Sequence, residues 1–87
     1  MITFTEQDSI DSFEWFIEHF EFRKSTYNFH TLLGIFMKSL EQAIQEGYSQ
    51  NEWEEVRSAV RKAVYHRYKN INFSTIYNKE EILKIVL

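Results

Sequence analysis

Residues 46–56, EGYSQNEWEEV, separate two long segments whose apolar residues recur at helical spacing. Ser49 and Glu52 match a capping box, in which the serine hydroxyl accepts the glutamate amide and the glutamate carboxylate accepts the serine amide. Gly47 suits the left-handed position that follows the end of a helix, and Tyr48 stands where a contact back onto that helix is common. The stretch therefore predicts that one helix ends, a tight turn follows and a second helix begins.

The same stretch has roughly the spacing of a DNA-binding helix-turn-helix, with Ala43 four residues before Gly47 and Trp53 six residues after it. The residues that follow such a turn enter the major groove beside the phosphates. Here they include three carboxylates, which would repel the DNA backbone that supplies most of the affinity: Glu52, Glu54 and Glu55. We interpret the stretch as the turn of a helical hairpin and not as a DNA reader.

Hydrophobic periodicity predicts three helices. Helix 1 is predicted over about 6–22, with Thr5 as its N-cap and an apolar stripe of Ile10, Phe13, Phe16, Ile17 and Phe20. Helix 2 is predicted over about 27–46, with one apolar arc of Phe29, Leu32, Leu33, Phe36, Met37, Leu40, Ala43 and Ile44. Helix 3 is predicted from Ser49 to near Asn70, with a buried arc of Trp53, Val56, Val60, Ala63, Val64 and Tyr68.

The segment from residue 74 to 87 allows two interpretations. Asn78 and Glu81 match a second capping box before an apolar run, which favours a short C-terminal helix. The run at 85–87, Ile-Val-Leu, is also typical of a strand, which could pair with residues 1–4 as a terminal β-ribbon. We favour the helix, so the predicted fold is a single all-α domain over 1–87, a small three-helix bundle with a short fourth helix.

The composition limits the class of protein. A domain of 87 residues buries only roughly 60–65% of the surface that its unfolded chain exposes, so we expect marginal stability. The absence of Cys excludes disulfides, thiolate zinc sites and cysteine nucleophiles. The chain has no apolar run near the ~20 residues that span a bilayer, and its acidic N-terminus lacks the features of a signal peptide. We expect a soluble, cytoplasmic protein without membrane contact.

No residue set has the spacing of a known active site. His19, His30 and His66 fall on three different predicted helices, without the spacing of a di-iron or zinc-protease motif. A Gly-rich phosphate loop and a serine in a nucleophile context are also missing. We therefore expect neither a metal nor a cofactor, and we predict that the protein is not an enzyme.

Charge is arranged in blocks, although the net charge is only −3. Residues 1–22 contain acids and no Lys or Arg, whereas residues 56–79 contain Lys and Arg and no acids. Four acids share one face of helix 1, where like charges three or four residues apart are unfavourable: Asp11, Glu14, Glu18 and Glu21. This face could be solvated or could pair with Arg57, Arg61 or Lys62 across the bundle. The functional alternatives are that it binds a basic partner protein or mimics nucleic-acid phosphates, although a net charge of −3 argues against full mimicry.

Trp15 and Phe22 lie seven residues apart, on the side of predicted helix 1 that is opposite its phenylalanine stripe. A helix that is buried only along its phenylalanine stripe would leave these two side chains exposed to solvent. Either the tail folds over this second side, through Phe73, Ile76 and Tyr77, or the pair is an exposed aromatic anchor of the kind that dominates interface energies.

A basic stripe is predicted on the later part of helix 3, where cations surround an aromatic ring: Arg61, Lys62, Tyr65 and Lys69. This combination could stack a base and hold phosphates. The alternative explanation is that Lys and Arg concentrate near helix C-termini because the helix dipole favours them there. We favour the second explanation.

Our leading hypothesis is a non-catalytic protein–protein interaction module: a small inhibitor, adapter or antitoxin-like regulator. Its predicted partner-binding residues are Trp15, Phe22, Asp11, Glu14 and Glu18. The expected partner is another protein with a basic surface, or a second copy of the chain in a homodimer. The alternative is a weak nucleic-acid-binding protein that uses the basic stripe.

Overall fold

The computed structural model of the protein describes residues 4–87. In this part of the chain, four helices follow one another: α1 Glu6–His19, α2 Phe29–Ile44, α3 Gln50–Arg67 and α4 Lys79–Val86. Two short strands, β1 Thr26–Tyr27 and β2 Tyr77–Asn78, pair antiparallel with Thr26 opposite Asn78 and Tyr27 opposite Tyr77. The predicted fold, a small helical bundle with a short C-terminal helix, is confirmed.

Side-chain caps set the helix starts. The Ser49 hydroxyl accepts the Glu52 amide at 3.2 Å, and the Glu52 carboxylate accepts the Ser49 amide at 2.9 Å, so the predicted capping box of α3 is confirmed. The Ser49 backbone amide, and to a smaller extent the Ser49 side chain, lowers the pKa of Glu52 by stabilising its charged carboxylate. The second predicted box, at the start of α4, is also confirmed, and Thr5 caps α1 as expected.

The predicted end of helix 1 at residue 22 is wrong, because α1 ends at His19 and Phe20 adopts an extended backbone. The aromatic rings that follow the helix pack around Tyr27: the ring centroids of Phe20 and Phe22 lie 5.5 and 5.6 Å from that of Tyr27. The Tyr27 hydroxyl also accepts the backbone amides of Arg23 and Lys24, each at 3.2 Å. Residues 20–25 are therefore held as a folded connection instead of another helical turn.

The other predicted helix ends differ by a few residues. Asn28 caps α2, so the helix begins at Phe29 and not at 27, and it ends at Ile44 and not at 46. Helix α3 ends at Arg67, before the predicted Asn70.

The left-handed conformation predicted for Gly47 is wrong. No residue in 4–87 has a positive φ, and the Gly47 amide donates to the Ile44 carbonyl at 3.0 Å within a right-handed turn. A Cβ atom at this position would meet only the Ile44 carbonyl oxygen, at 3.7 Å, which is an ordinary contact. The capping box of α3, and not a left-handed glycine, fixes this end of the hairpin.

The strand alternative for the C-terminus is wrong, because Lys79–Val86 is helical. Residues 1–3, which belong to the other half of the proposed terminal ribbon, lie outside the described residues. The β-ribbon that does form, between β1 and β2, joins two connecting segments that the sequence analysis did not identify as strands.

The core lies between α1, α2 and α3, and α4 closes it with Ile82 and Val86. Phe13 stands at its centre, with its ring centroid 5.3 Å from that of Phe36 and 5.8 Å from that of Tyr68. All six residues of the predicted α3 arc are buried. The predicted α2 arc is buried only as far as Met37: Leu40 and Ile44 are half-buried and Ala43 is exposed. The C-terminal half of α2 therefore presents apolar surface that no described element covers.

None of the helices within residues 4–87 is long and apolar enough to cross a membrane.

Candidate functional site

A groove runs between α1 and the C-terminal half of α2. Its volume is about 400 Å³. Its floor is formed by Phe16 and Phe36, whose ring centroids lie 5.4 Å apart. We call this site the α1–α2 groove and define it by the residues that line it: Asp11, Ser12, Trp15, Phe16, Phe36, Ser39, Leu40 and Ala43.

The α1–α2 groove stays open because small side chains face each other beyond the aromatic floor. Helix α1 contributes Ser12 to the lining, and α2 contributes Ser39 and Ala43. None of these side chains is large enough to fill the space between two helices. The groove is mostly apolar, so it can receive an apolar side chain without leaving buried polar groups unpaired.

Trp15 forms one wall of the groove and is 62% exposed. Its ring stacks on that of His19, with centroids 4.1 Å apart and planes inclined by 19°. The His19 Nδ1 atom lies 2.9 Å from the Trp15 carbonyl oxygen, which fixes the imidazole over the indole. Trp15 therefore offers a large, oriented apolar face to solvent. The tail does not cover it.

Phe22 does not share this surface. The prediction that Trp15 and Phe22 lie on one face of helix 1 is wrong, because the helix ends between them. Phe22 is half-buried, with its ring 4.9 Å from that of Phe20 and with the Lys79 Nζ atom 5.6 Å from its centroid. It packs the connection after α1 against the start of α4.

The acids of α1 point to different surroundings. Asp11 lines the groove and is exposed, and its carboxylate accepts the Gln7 side-chain amide at 2.7 Å. Glu18 is exposed, whereas Glu14 is half-buried on the side that faces α3. The acidic residues thus do not form one uniform binding face, and Asp11 is the one that belongs to the groove.

The expected pairing of these acids with Arg57, Arg61 or Lys62 is not formed. Within residues 4–87 the ion pair at 4.0 Å or less joins Arg23 and Glu21, at 3.5 Å, and both side chains are about four-fifths exposed. The acids of α1 itself therefore have no cationic partner in the described part of the chain.

The structure brings together only part of the predicted basic stripe. The Arg61 guanidinium donates to the Tyr65 hydroxyl at 3.2 Å and lies 5.7 Å from the ring centroid. The Tyr65 ring is half-buried, with its centroid 4.8 Å from that of Phe73. Lys62 is exposed on α3, but Lys69 lies beyond the end of the helix. The aromatic ring is thus part of a packed cluster and is not a free stacking platform.

Sequence reasoning missed the α2 side of the groove because it assigned those residues to the core: Phe36, Leu40 and Ala43. The sequence does contain a pattern that indicates this open surface. The apolar arc of α2 continues to Ile44, whereas the opposing half of α1 has Ser9 and Ser12 among its inward residues. A long apolar arc opposite small side chains indicates surface that the bundle itself does not cover.

Within residues 4–87, no group of three or more His, Asp or Glu side chains is arranged to hold a metal ion. Comparisons with protein-family models, with curated proteins and with solved structures find no match to this chain. Its function is therefore inferred from the groove.

Proposed function

We propose that the protein is a non-catalytic binding module that receives an apolar side chain of a partner protein in the α1–α2 groove. The observation that carries this proposal is Trp15, a tryptophan 62% exposed at the wall of an apolar groove of about 400 Å³. Contiguous exposed apolar surface in a small domain marks interaction sites. Tryptophan is also among the residues that contribute most to interface affinity.

The charge around the groove supports a partner with Lys or Arg beside the inserted side chain. Helix α1 contains five acids and no Lys or Arg: Glu6, Asp8, Asp11, Glu14 and Glu18. Opposite charge at the edge of an interface speeds association and selects against wrong partners. A basic residue next to Asp11 would meet this requirement.

The same charge disfavours a second copy of the chain as the occupant. A two-fold dimer brings the same patch of both subunits together. Two copies joined through this groove would place Asp11 and the acids of α1 near their own duplicates, which costs free energy. We therefore propose a different protein as the partner, for which this chain acts as a small inhibitor, adapter or antitoxin-like regulator in the cytoplasm.

A quantitative capture experiment tests the proposal. The tagged 87-residue chain is incubated with lysate of its source organism, and retained proteins are compared by mass spectrometry between the wild type and the groove variants Trp15→Ser and Ala43→Glu. The matched control is Ile76→Ser, which removes a side chain that is 65% exposed and does not line the groove. We expect a protein that the wild type and the control retain equally and that both groove variants lose by at least about tenfold.

Two outcomes contradict the proposal. Equal retention of every protein by the wild type and the groove variants would mean that the groove is not a binding site. A stable dimer in sedimentation experiments that Trp15→Ser dissociates would identify a second copy as the occupant, instead of a different protein.

A further inference from the structure

A second cavity lies beside the first, between α2 and the connection that follows α1. Its volume is also about 400 Å³, and its lining includes Phe20, Tyr27, Thr31 and Ile35. We call it the Tyr27 cavity. The two sites together follow α2 from Thr31 to Ala43, which is about 18 Å at 1.5 Å per residue. We call this combined surface the α1–α2 seam.

The floor of the seam is continuous. Phe16 lines the groove, Phe20 lines the Tyr27 cavity, and their ring centroids lie 5.1 Å apart. Both rings are half-buried, so each keeps part of its apolar surface exposed. A long apolar occupant could therefore contact both sites at the same time.

The two ends of the seam carry opposite charge. Asp11 lines the groove end, whereas Arg23, Lys24 and Glu21 line the other end, which leaves that end with a net positive charge. The Tyr27 hydroxyl accepts the backbone amides of both basic residues at 3.2 Å, so the fold fixes their backbone at this end of the seam. Glu21 pairs with Arg23, and Lys24 makes no ion pair within the part of the chain that the structure describes.

We infer that the occupant of the α1–α2 seam is an amphipathic α-helix of the partner protein, with Lys or Arg at the end beside Asp11 and Asp or Glu at the end beside Lys24. This inference rests on the proposed function and adds the shape and charge order of the partner segment. The groove end of the seam is built from side chains of α1 and α2, and the other end from α2, the connection after α1 and Tyr27 of β1. A helix satisfies its own backbone hydrogen bonds and presents side chains at i, i+3, i+4 and i+7 to such a surface.

The length of the seam fits this occupant. A span of about 18 Å corresponds to about 12 helical residues, or slightly more than three turns. Apolar residues of the partner helix that are spaced three or four positions apart would then lie in the groove, over the Phe16 and Phe20 rings, and in the Tyr27 cavity. The partner helix thus adds one more helix to the bundle along its open side.

The probe for the test is a fluorescently labelled 14-residue amphipathic peptide with two Lys in its first turn and two Glu in its last turn. Its binding to the 87-residue protein is measured by fluorescence anisotropy. We expect Asp11→Lys alone and Lys24→Glu alone each to weaken binding by at least about threefold. We expect the protein with both changes to regain the wild-type affinity, because the peptide binds in the opposite direction along a seam whose charges have been exchanged.

A second peptide, with Lys in both end turns, is the matched probe. Asp11→Lys should weaken the binding of this peptide and Lys24→Glu should strengthen it. The protein with both changes should bind it no more tightly than the wild type does. Circular dichroism of each variant should match the wild type, because Asp11 and Lys24 are both exposed.

The outcomes separate this inference from the proposed function. Failure of the first peptide to bind, binding that Trp15→Ser leaves unchanged, or single charge reversals that the double reversal does not rescue would each overturn the inference. A captured partner that depends on Trp15 would still support the proposed function in all three cases.

Discussion

Two aromatic side chains stand in surroundings that are unusual for their residue type. Trp15 is 62% exposed, whereas tryptophan is highly buried on average. Tyr68 is 6% exposed, and its hydroxyl makes no hydrogen bond of good geometry among residues 4–87, although the Arg67 side chain lies close enough to influence it. The proposed partner would cover the Trp15 ring, whereas a buried hydroxyl without a hydrogen-bond partner lowers stability.

Replacing Tyr68 with Phe should raise the free energy of unfolding by about 1 kcal/mol, since it removes a buried hydroxyl that has no partner. Urea denaturation at neutral pH measures this change. The matched control is Tyr65→Phe, which removes the acceptor of the Arg61 guanidinium and should lower the free energy of unfolding. Equal destabilisation by both substitutions would contradict the assignment of Tyr68 as unpaired.

The same hydroxyl predicts a loss of stability in alkali. Burial raises the pKa of Tyr68, the nearby Glu14 charge raises it further, and Arg67 opposes the shift. A group whose pKa is raised by folding contributes stability below its unfolded pKa, here near 10, and loses it as the pH rises through the folded value. Above about pH 10 the wild type should therefore lose stability more steeply than Tyr68→Phe.

Trp15→Ala and Phe22→Ala should have different effects on folding. The exposed Trp15 ring contributes little to the core, so its removal should leave the thermal midpoint nearly unchanged. Phe22 contacts Phe20 and Tyr27, so its removal should cost about 1–3 kcal/mol. Thermal melts of the single variants and the double variant distinguish the two positions. A large destabilisation by Trp15→Ala would place this ring in the core and remove the groove wall from the proposed interface.

At the scale of secondary-structure elements, the sequence predicts those features that depend only on residues close together in the chain. The capping boxes of α3 and α4 each need only residues three positions apart, and both form. The end of α1 depends on Tyr27. Its ring contacts Phe20 and Phe22, and its hydroxyl accepts hydrogen bonds from the backbone amides of Arg23 and Lys24. Helical periodicity continued through Phe20 and could not reveal that contact. The α1–α2 groove was missed for the same reason, because an apolar arc does not show which part of it a neighbouring helix covers.

Gly47 provides a test at this scale. Its φ is not positive and a Cβ atom fits, so Gly47→Ala should raise the free energy of unfolding by about 0.4–1 kcal/mol through a less flexible unfolded chain. Gly34→Ala, inside α2 with nothing within 4 Å of the new Cβ atom, should stabilise the protein in the same way. Chemical denaturation measures both changes. Destabilisation by Gly47→Ala alone would restore the left-handed turn that the sequence suggested.

At the scale of the whole molecule, charge separates the two functions considered for this chain. The net charge is −3, and the basic stripe consists of an Arg61 bound to Tyr65, an exposed Lys62 and a Lys69 outside the helix. Phosphate binding needs several unengaged cations on one surface. Among the residues of the stripe, Lys62 is the exposed cation that stays on the helix without a side-chain hydrogen bond or ion pair in the described part of the chain.

We predict no binding to single- or double-stranded nucleic acid above the non-specific level. Gel shifts at low and physiological salt measure this, with Arg61→Glu combined with Lys62→Glu as the matched variant. A shift at micromolar or tighter concentration that salt weakens and the double variant abolishes would favour the nucleic-acid function over protein binding.

The β1–β2 ribbon has a consequence for the order of folding. It joins Tyr27 to Tyr77, so its formation closes a loop of about 50 residues that contains both α2 and α3. The α2–α3 hairpin is joined by a short turn and loses much less chain entropy when it forms, so we expect it to belong to the folding nucleus and the ribbon to form after the rate-limiting step. Thr26→Pro, which removes an amide from the ribbon, should therefore accelerate unfolding in stopped-flow experiments and leave the folding rate almost unchanged. The ribbon would then slow unfolding and have little effect on the folding rate, so it would determine the lifetime of the native state more than the time needed to reach it.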